Sequence, residues 1–310
     1  MSVDAGLMQE WSRLRESLIG AGVVADLGAP GLYAQGPDFV RAYQAFDALL
    51  DRTFAYLGAE VWRFPAVEAK PLFERTDYVA SFPQLTSALV AFTGGNPEHA
   101  ELIRVRADGG AWEGLLEPSG VMMSPAACHQ LYGVLGGTQV TGGRVFDLHG
   151  ACYRHEPSPD PLRMQAFHQH EYPFVGDEEA ALAHRDDVGA RMHALLASLG
   201  LTVAYEVAND PFFGRAGRVL ARNQLSAAAK YEISCPVFGP DQPAVALGSA
   251  NFHGTHFAVE FTIAGADGAP ASSSCVGLGM ERVVLALFAA HGMATCDWPA
   301  ALRALLWPEP

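Results

Sequence analysis

The sequence predicts an α+β fold in which helices come first and an antiparallel sheet follows, with helices packed on one of its faces. Three observations carry this. The opening segments place apolar residues at helical spacing, and after residue 119 short strand-like runs dominate. Nowhere do strands and helices alternate in the β-α-β manner of a dinucleotide fold. With 310 residues, 50% of them hydrophobic and 17% charged, the chain can bury a large core and is too apolar for disorder.

The elements follow in order. "LMQEWSRLRESLI" (7–19) and "DFVRAYQAFDALLDRTFAYL" (38–57) read as helices, with Gly28, Pro30 and Gly36 between them. "AEVWRFP" (59–65) reads as a strand ended by Pro65, and "VEAKPLFERTDYV" as a helix. "SGVMMS" (119–124) reads as a short strand and "PAACHQLYGVL" as a helix opened by Pro125. Residues 144–156 and 163–175 alternate like two strands joined by the proline-rich turn 157–161. "DEEAALAHRDDVGARMHALLASLG" (177–200) carries acids in its first turn and Gly200 at its end, as a helix should. Strand-like runs then occupy 202–207, 216–221, 227–237, 244–252 and 255–263. A last strand, 271–278, leads into the helix "MERVVLALFAAH", closed by Gly292. No repeat or low-complexity linker divides the chain, so a single domain over 1–310 is expected.

Charge and cysteine usage exclude several function classes. The formal charge of −14 opposes a broad nucleic-acid surface, and Lys70 and Lys230 are the only lysines, so phosphate contacts fall mainly to arginine. The five cysteines are widely spaced with no C-x-x-C pair, which fits a reducing compartment. "MSVDAGLMQEW" lacks the basic-then-apolar pattern of a signal peptide. The most apolar run, "VGLGMERVVLALFAA" (276–290), is interrupted by Glu281 and Arg282 and is too short to cross a bilayer. A soluble, cytoplasmic protein is the expectation.

Two motifs carry candidate chemistry. In "CYRHEPSPDPLRMQAFHQHEY" (152–172), strand alternation would put Arg154 and Glu156 on one face. Arg154 can clamp a carboxylate or phosphate with paired donors, Glu156 can accept from an adenine amino group, Phe167 offers a flat surface to a base, and Arg163 is a second cation. The same residues also suit a surface strand pair with a salt bridge. In "CVGLGMERVVLAL" (275–287) two glycines precede a helix holding Arg282. This is not G-x-G-x-x-G, because Arg282 stands where the third glycine belongs. The glycines suit either a strand passing close to a ligand or an ordinary strand-to-helix turn.

Together these motifs resemble the catalytic core of class II aminoacyl-tRNA synthetases, whose second motif matches "YRHE…MQAF" and whose third matches "GLGMER"; "EVWRFP" resembles the end of the first. With "MSPAACHQLY" (123–132), "DPFFGR" (210–215) and "SANFH" (249–253) added, the chain resembles the amino acid:[carrier protein] ligases. These are truncated relatives of the atypical, zinc-dependent seryl-tRNA synthetases, and the likeness runs from about Tyr33 to Trp298. It implies a class II synthetase-like antiparallel sheet flanked by helices, in a single catalytic domain.

The resemblance also implies a metal site that spacing would not reveal. Cys128, Glu171 and Cys275 occupy the family's zinc-ligand positions, one Zn²⁺ per subunit, leaving a coordination position for the substrate's amino group. His168 and His170 are alternative ligands only if a bulge brings them to the face of Glu171. The implied chemistry is ATP-dependent activation of glycine or alanine to an aminoacyl-adenylate with Mg²⁺, then transfer to a carrier protein's phosphopantetheine thiol. Arg154 and Arg282 would be catalytic. Glu156, Arg163, Met164, Phe167, Lys230, Glu232, Ala246, Leu247 and Gly248 would bind ATP with them, Glu232 as a magnesium ligand. Glu171 and Asn251 would contact the amino acid. Helix 177–199 is expected as an inserted carrier-docking element, although the charge of −14 opposes an acidic carrier unless Arg185, Arg191 and their neighbours form a local basic patch, and the resemblance implies a homodimer. Two alternatives remain: a minimal tRNA-aminoacylating enzyme, which the acidity disfavours, and a non-catalytic synthetase paralogue that binds a partner.

Overall fold

The computed structural model describes residues 4–208 and 228–308. The expected strand 216–221 and the motif "DPFFGR" lie outside the described residues. The strands are β1 (Val24–Asp26), β2 (Tyr33–Gln35), β3 (Glu60–Phe64), β4 (Val67–Ala69), β5 (Ala88–Ala91), β6 (Glu117–Met123), β7 (Arg144–Tyr153), β8 (Ala166–Gly176), β9 (Ala204–Val207), β10 (Lys230–Cys235), β11 (Val245–Gly254) and β12 (Ser272–Gly279). Seven of them form the central sheet in the order β3-β7-β8-β12-β11-β10-β9. Every neighbouring pair is antiparallel except β3 with β7 at the edge, which is parallel. The α+β expectation holds, with that edge strand making the sheet mixed.

One face of the sheet is buried under the helices Pro37–Phe54, Glu178–Ser198 and Met280–His291, whose apolar residues join Tyr172, Ala250, Val276 and Leu278 in the larger core. Phe39 of the first helix stacks on Phe288 of the last, ring centroids 6.4 Å apart. A second core holds Leu131, Tyr132, Leu148, Val175 and Phe257 on the other face. The helix Cys128–Leu135 belongs to this second layer, and it carries one candidate ligand onto the sheet.

Three sequence expectations need correction. Residues 255–263 form a helix, His256–Phe261, rather than a strand. A short aromatic and β-branched run is ambiguous by periodicity, and Gly254 at φ 54° turns the chain out of β11 so that Phe257, Ala258 and Phe261 share a buried face. The expected helix through 67–79 is divided into β4, a helix Lys70–Glu74 and a helix Tyr78–Ser81, with Asp77 left-handed at φ 58° between the helices. The paired strands 144–156 and 163–175 stop earlier and start later, at Tyr153 and Ala166, so Arg154 and Glu156 lie beyond the ladder.

Candidate functional site

Directly opposed residues on paired strands share a face of the sheet. One such row runs Glu232, Ser249, Gly277, Glu171, and the adjacent row runs Lys230, Asn251, Cys275. Residues separated by tens of positions in the chain are therefore lined up by strand register alone. The helix Cys128–Leu135 lowers its first residue onto this face, where the Cys128 N–H donates to Glu171 Oε2 at 2.9 Å.

The consequence is a compact donor set. Ligand atoms of Cys128, Glu171 and Cys275 lie within 4.8 Å of one another, and all three residues are buried. Burial pushes the Glu171 carboxyl up, and the hydrogen bond with Cys128 together with burial drives the Cys275 thiol well up. The same bond pulls Cys128 down, but burial and the Glu171 charge prevail and that thiol too is raised. Three acids facing each other in a dry pocket cannot all ionise without a cation. A divalent ion reverses this by stabilising every anion at once. Two sulfurs and a carboxylate fit zinc, and three protein ligands are the number typical of a catalytic rather than a structural zinc site.

Gly277 makes room for this arrangement. A β-carbon there would lie 2.6 Å from Glu171 Cγ, whereas one on Gly279 would meet nothing nearer than 3.9 Å. The first glycine of the pair is thus required by Glu171, and the second acts as the N-cap of the helix Met280–His291.

Arg154 stands near Glu171, and Arg163 and Arg282 stand near one another and Arg154. Arg154 donates from Nε to the Pro125 carbonyl at 3.0 Å, and its guanidinium lies 5.3 Å from the centre of the Phe167 ring. Arg282, partly buried, donates to the carbonyls of Leu162 and Ala246, each at 2.9 Å. Burial and the positive charges of Arg163 and Arg154 bring Arg282 down to about 10. Neighbouring guanidinium groups, one of them over the Phe167 ring, favour an anionic ligand that carries an aromatic base.

The remaining expected residues divide. Arg163 is ion-paired with Glu156 and lies 3.6 Å from Asp160, so the residues expected to take separate parts of ATP meet each other here. Lys230 and Glu232 approach to 2.9 Å on β10. Asn251 sits opposite Cys275 and donates to Ser249 Oγ at 2.9 Å. The side chains of Met164 and Leu247 are buried in the larger core, so these two, like Ala246 and Gly248, can offer only backbone to a ligand. His168 and His170 point away from Glu171, as plain alternation requires. His168 binds the buried Glu281 through Nδ1 at 2.6 Å, and His170 Nδ1 meets Asp47 at 2.9 Å. Sequence reasoning missed Glu281, which also accepts from the His168 N–H and from Gln35. Its position in the third motif's helix was visible, but its partners are more than a hundred residues away.

The helix Glu178–Ser198 packs along the sheet, with Val188, Met192 and Leu196 in the larger core. Neither Arg185 nor Arg191 stands free on it to form a basic patch. Arg185 is buried against Asp186, the Ala228 carbonyl and the Tyr231 ring, and Arg191 is paired with Asp187.

This sheet order and its helical cover give the chain the fold of a class II aminoacyl-tRNA synthetase core. Its fold is similar to that of the M. kandleri SerRS solved in complex with A. aeolicus tRNASec, with a TM-score of 0.81 and 22% identity over 94% of this chain and 60% of that one. It is also similar to the cytoplasmic serine-tRNA ligase of Naegleria fowleri in complex with AMP, at TM-score 0.70 and 12% identity over 96% of this chain and 59% of that one. The chain thus spans about three-fifths of each solved synthetase chain. No protein-family model matches it. Among characterised relatives, amino acid--[acyl-carrier-protein] ligase 2 of Bradyrhizobium diazoefficiens is 34% identical over 283 residues, covering 91% of this chain and 84% of the relative. Ligase 1 of that organism is 34% identical over 287 residues, covering 92% and 87%. The type-2 serine--tRNA ligase of Methanopyrus kandleri is 25% identical over 327 residues, 93% of this chain and 62% of that protein. The chain belongs to the amino acid--[acyl-carrier-protein] ligase family.

Proposed function

We propose that the protein activates a small amino acid with ATP, forming an aminoacyl-adenylate, and transfers the aminoacyl group to the phosphopantetheine thiol of a carrier protein. The observation that carries this reading is the meeting of Cys128, Glu171 and Cys275 on the face that also holds Asn251 and adjoins Arg154, Phe167 and Arg282. A zinc ion held by the two thiolates and Glu171 would supply a Lewis-acid site for the substrate's neutral amino nitrogen. Arg154 binds the substrate carboxylate and the α-phosphate, and Phe167 stacks on adenine. Arg282, anchored by two backbone carbonyls, presents its remaining donors to the nucleotide. Arg163 and Glu156 exchange their mutual pairing for contacts with the outer phosphates and the adenine amino group. Glu232 is the carboxylate available to the magnesium that accompanies ATP. The chemistry is positioning and charge stabilisation, with no covalent nucleophile on the protein.

Glycine or alanine is the proposed substrate. This is supported by bulk near the ligands: Tyr132, four residues beyond Cys128 on the same helix, stacks on Phe257 with ring centroids 4.0 Å apart in the core that also holds Cys128 and Cys275. Carrier docking is proposed on the outward face of the helix Glu178–Ser198, which exposes Ala183, Ala190 and Ala194. With no free basic patch there, recognition would rest on shape more than charge. A homodimer is proposed on the exposed edge strand β3, where Val61 is 64% accessible. A cytoplasmic location is supported by five unpaired cysteines, and no described helix is long and apolar enough to cross a membrane.

Amino-acid-dependent pyrophosphate exchange tests the reading. Exchange should be largest with glycine or alanine, should vanish on chelation and should return with Zn²⁺. Label should then move to a phosphopantetheinylated carrier and not to total tRNA. A response equal across all twenty amino acids would overturn the activation step, and charging of tRNA alone would overturn the acceptor.

A further inference from the structure

A second group of metal-type ligands lies on the opposite face of the same strands. His149 of β7 and His170 of β8 are directly paired, their ring centroids 4.0 Å apart. Asp147 lies two residues before His149 on β7, and the helix Pro37–Phe54 presents Asp47 to both rings and Asp51, one turn further on, to His149. His170 is 1% accessible and Asp147 8%.

Two features distinguish this group from a surface ion-pair network. His170 Nε2 and Asp147 Oδ1 are buried and lie 2.9 Å apart, and His149 Nε2 lies 3.2 Å from the same oxygen. Two imidazole nitrogens and a carboxylate oxygen therefore converge on one point beneath the helix Pro37–Phe54. The opposite edge of the imidazoles is held. Asp47 Oδ1 lies 2.9 Å from His170 Nδ1 and 3.4 Å from His149 Nδ1. A carboxylate bound to Nδ1–H fixes the tautomer in which Nε2 carries a lone pair, the arrangement that orients a metal-ligating histidine.

We propose that His149, His170, Asp147 and Asp51 form a second site for a divalent transition-metal ion of zinc's class, with Asp47 as the carboxylate that orients both imidazoles. One ligand atom from each of the four lies within 4.8 Å of the others. His149 Nε2 is 3.2 Å from Asp147 Oδ1 and 3.9 Å from Asp51 Oδ1. Tetrahedral bonds of about 2.0–2.1 Å place ligand atoms roughly 3.3 Å apart, within the spread of these separations. Two nitrogens and two carboxylate oxygens select a borderline ion over a hard one such as magnesium. Three carboxylates facing two imidazoles also leave the group short of positive charge. Arg63, opposite His149 on β3, forms no ion pair with Asp47, Asp51 or Asp147 among the described residues. Tyr172 packs on His170 with ring centroids 5.0 Å apart, and its buried hydroxyl likewise has no partner. Because His170 and Glu171 are adjacent on β8 and face opposite ways, the two sites would stand back to back through one strand.

Elemental analysis of the full-length protein, loaded with Zn²⁺ and dialysed, tests this separately from the catalytic reading. Wild type should hold two equivalents, Cys128→Ser one, His149→Asn one and the double variant none. Asp51 is largely exposed, so Asp51→Asn should keep the fold and weaken zinc binding in the Cys128→Ser background about 10–100-fold by chelator competition. Cobalt substitution distinguishes the sites, since only the first should show thiolate charge-transfer absorption. One equivalent in wild type and none in Cys128→Ser would overturn the second site and leave the first standing. One equivalent lost with His149→Asn but kept in Cys128→Ser would do the reverse.

Discussion

Gly277 faces Glu171 directly across the β8–β12 ladder, and a β-carbon on the glycine would lie 2.6 Å from the glutamate's Cγ. That contact shows how the backbone sets the position of a ligand: the strand is bare where the carboxylate must lie flat across it. Gly277→Ala should therefore displace Glu171 and lower zinc affinity and exchange activity together, by about 10–100-fold, the usual effect of disturbing the support of a metal ligand. Zinc content and exchange rate check it, and an alanine variant with normal zinc content would show that Glu171 does not need the gap.

Cys128→Ala should remove zinc from the first site and reduce exchange to background. Cys152 is the control. It is also buried, but its sulfur points to Gln169 Oε1 at 3.1 Å and it is not among the ligand atoms. Cys152→Ala should keep full zinc at that site and most of the activity, a contrast that metal analysis and exchange can read on the same samples.

Arg282 spends two donors on the carbonyls of Leu162 and Ala246, which ties its fork to β11 and to the loop before β8. Arg282→Ala should cost about 10²–10³-fold in exchange, as loss of one fixed electrostatic donor does elsewhere. Arg282→Lys should recover little, because an ammonium cannot hold two carbonyls and a phosphate with the same planar geometry. Steady-state kinetics in ATP measure both.

Glu68 supplies a pH dependence unrelated to activity. It is buried on β4, and burial, outweighing the opposing pull of the Ser124 hydroxyl, raises it to about 7. The folded state then holds a proton that the unfolded state has released, so this residue's contribution is fully present below about pH 4.5 and is lost as pH rises to about 7. The loss is on the order of 3 kcal/mol. Urea midpoints at pH 5 and pH 7.5 should fall between the two for wild type by more than for Glu68→Gln, and equal drops would refute the assignment.

Much of this molecule could be read from residue order. The helices Ala5–Gly20, Pro37–Phe54, Glu178–Ser198 and Met280–His291 follow from 3.6-residue periodicity, acidic first turns and closing glycines, all of which are local. Strands β7, β8 and β12 follow from alternation, which also placed His168 and His170 away from Glu171. The motifs pointed to the arginines and to Phe167, and family likeness pointed to Cys128, Glu171 and Cys275. The helix His256–Phe261 was misread because a six-residue apolar run carries too little periodicity to separate the two states, and the turn at Gly254 settles the matter through backbone geometry.

What residue order could not supply is distance. Cys128 and Cys275 become neighbours only because β8 and β12 pair in one register and a helix from the other layer descends onto them; a shift of one residue would turn Glu171 to the opposite face. The pairing of Glu156 with Arg163, the burial of Arg185 and the ring of aspartates around His149 and His170 are of the same kind. Each depends on which side chains packing and register bring within a few ångströms, and that is a property of the assembled sheet and its helices rather than of any segment of the chain.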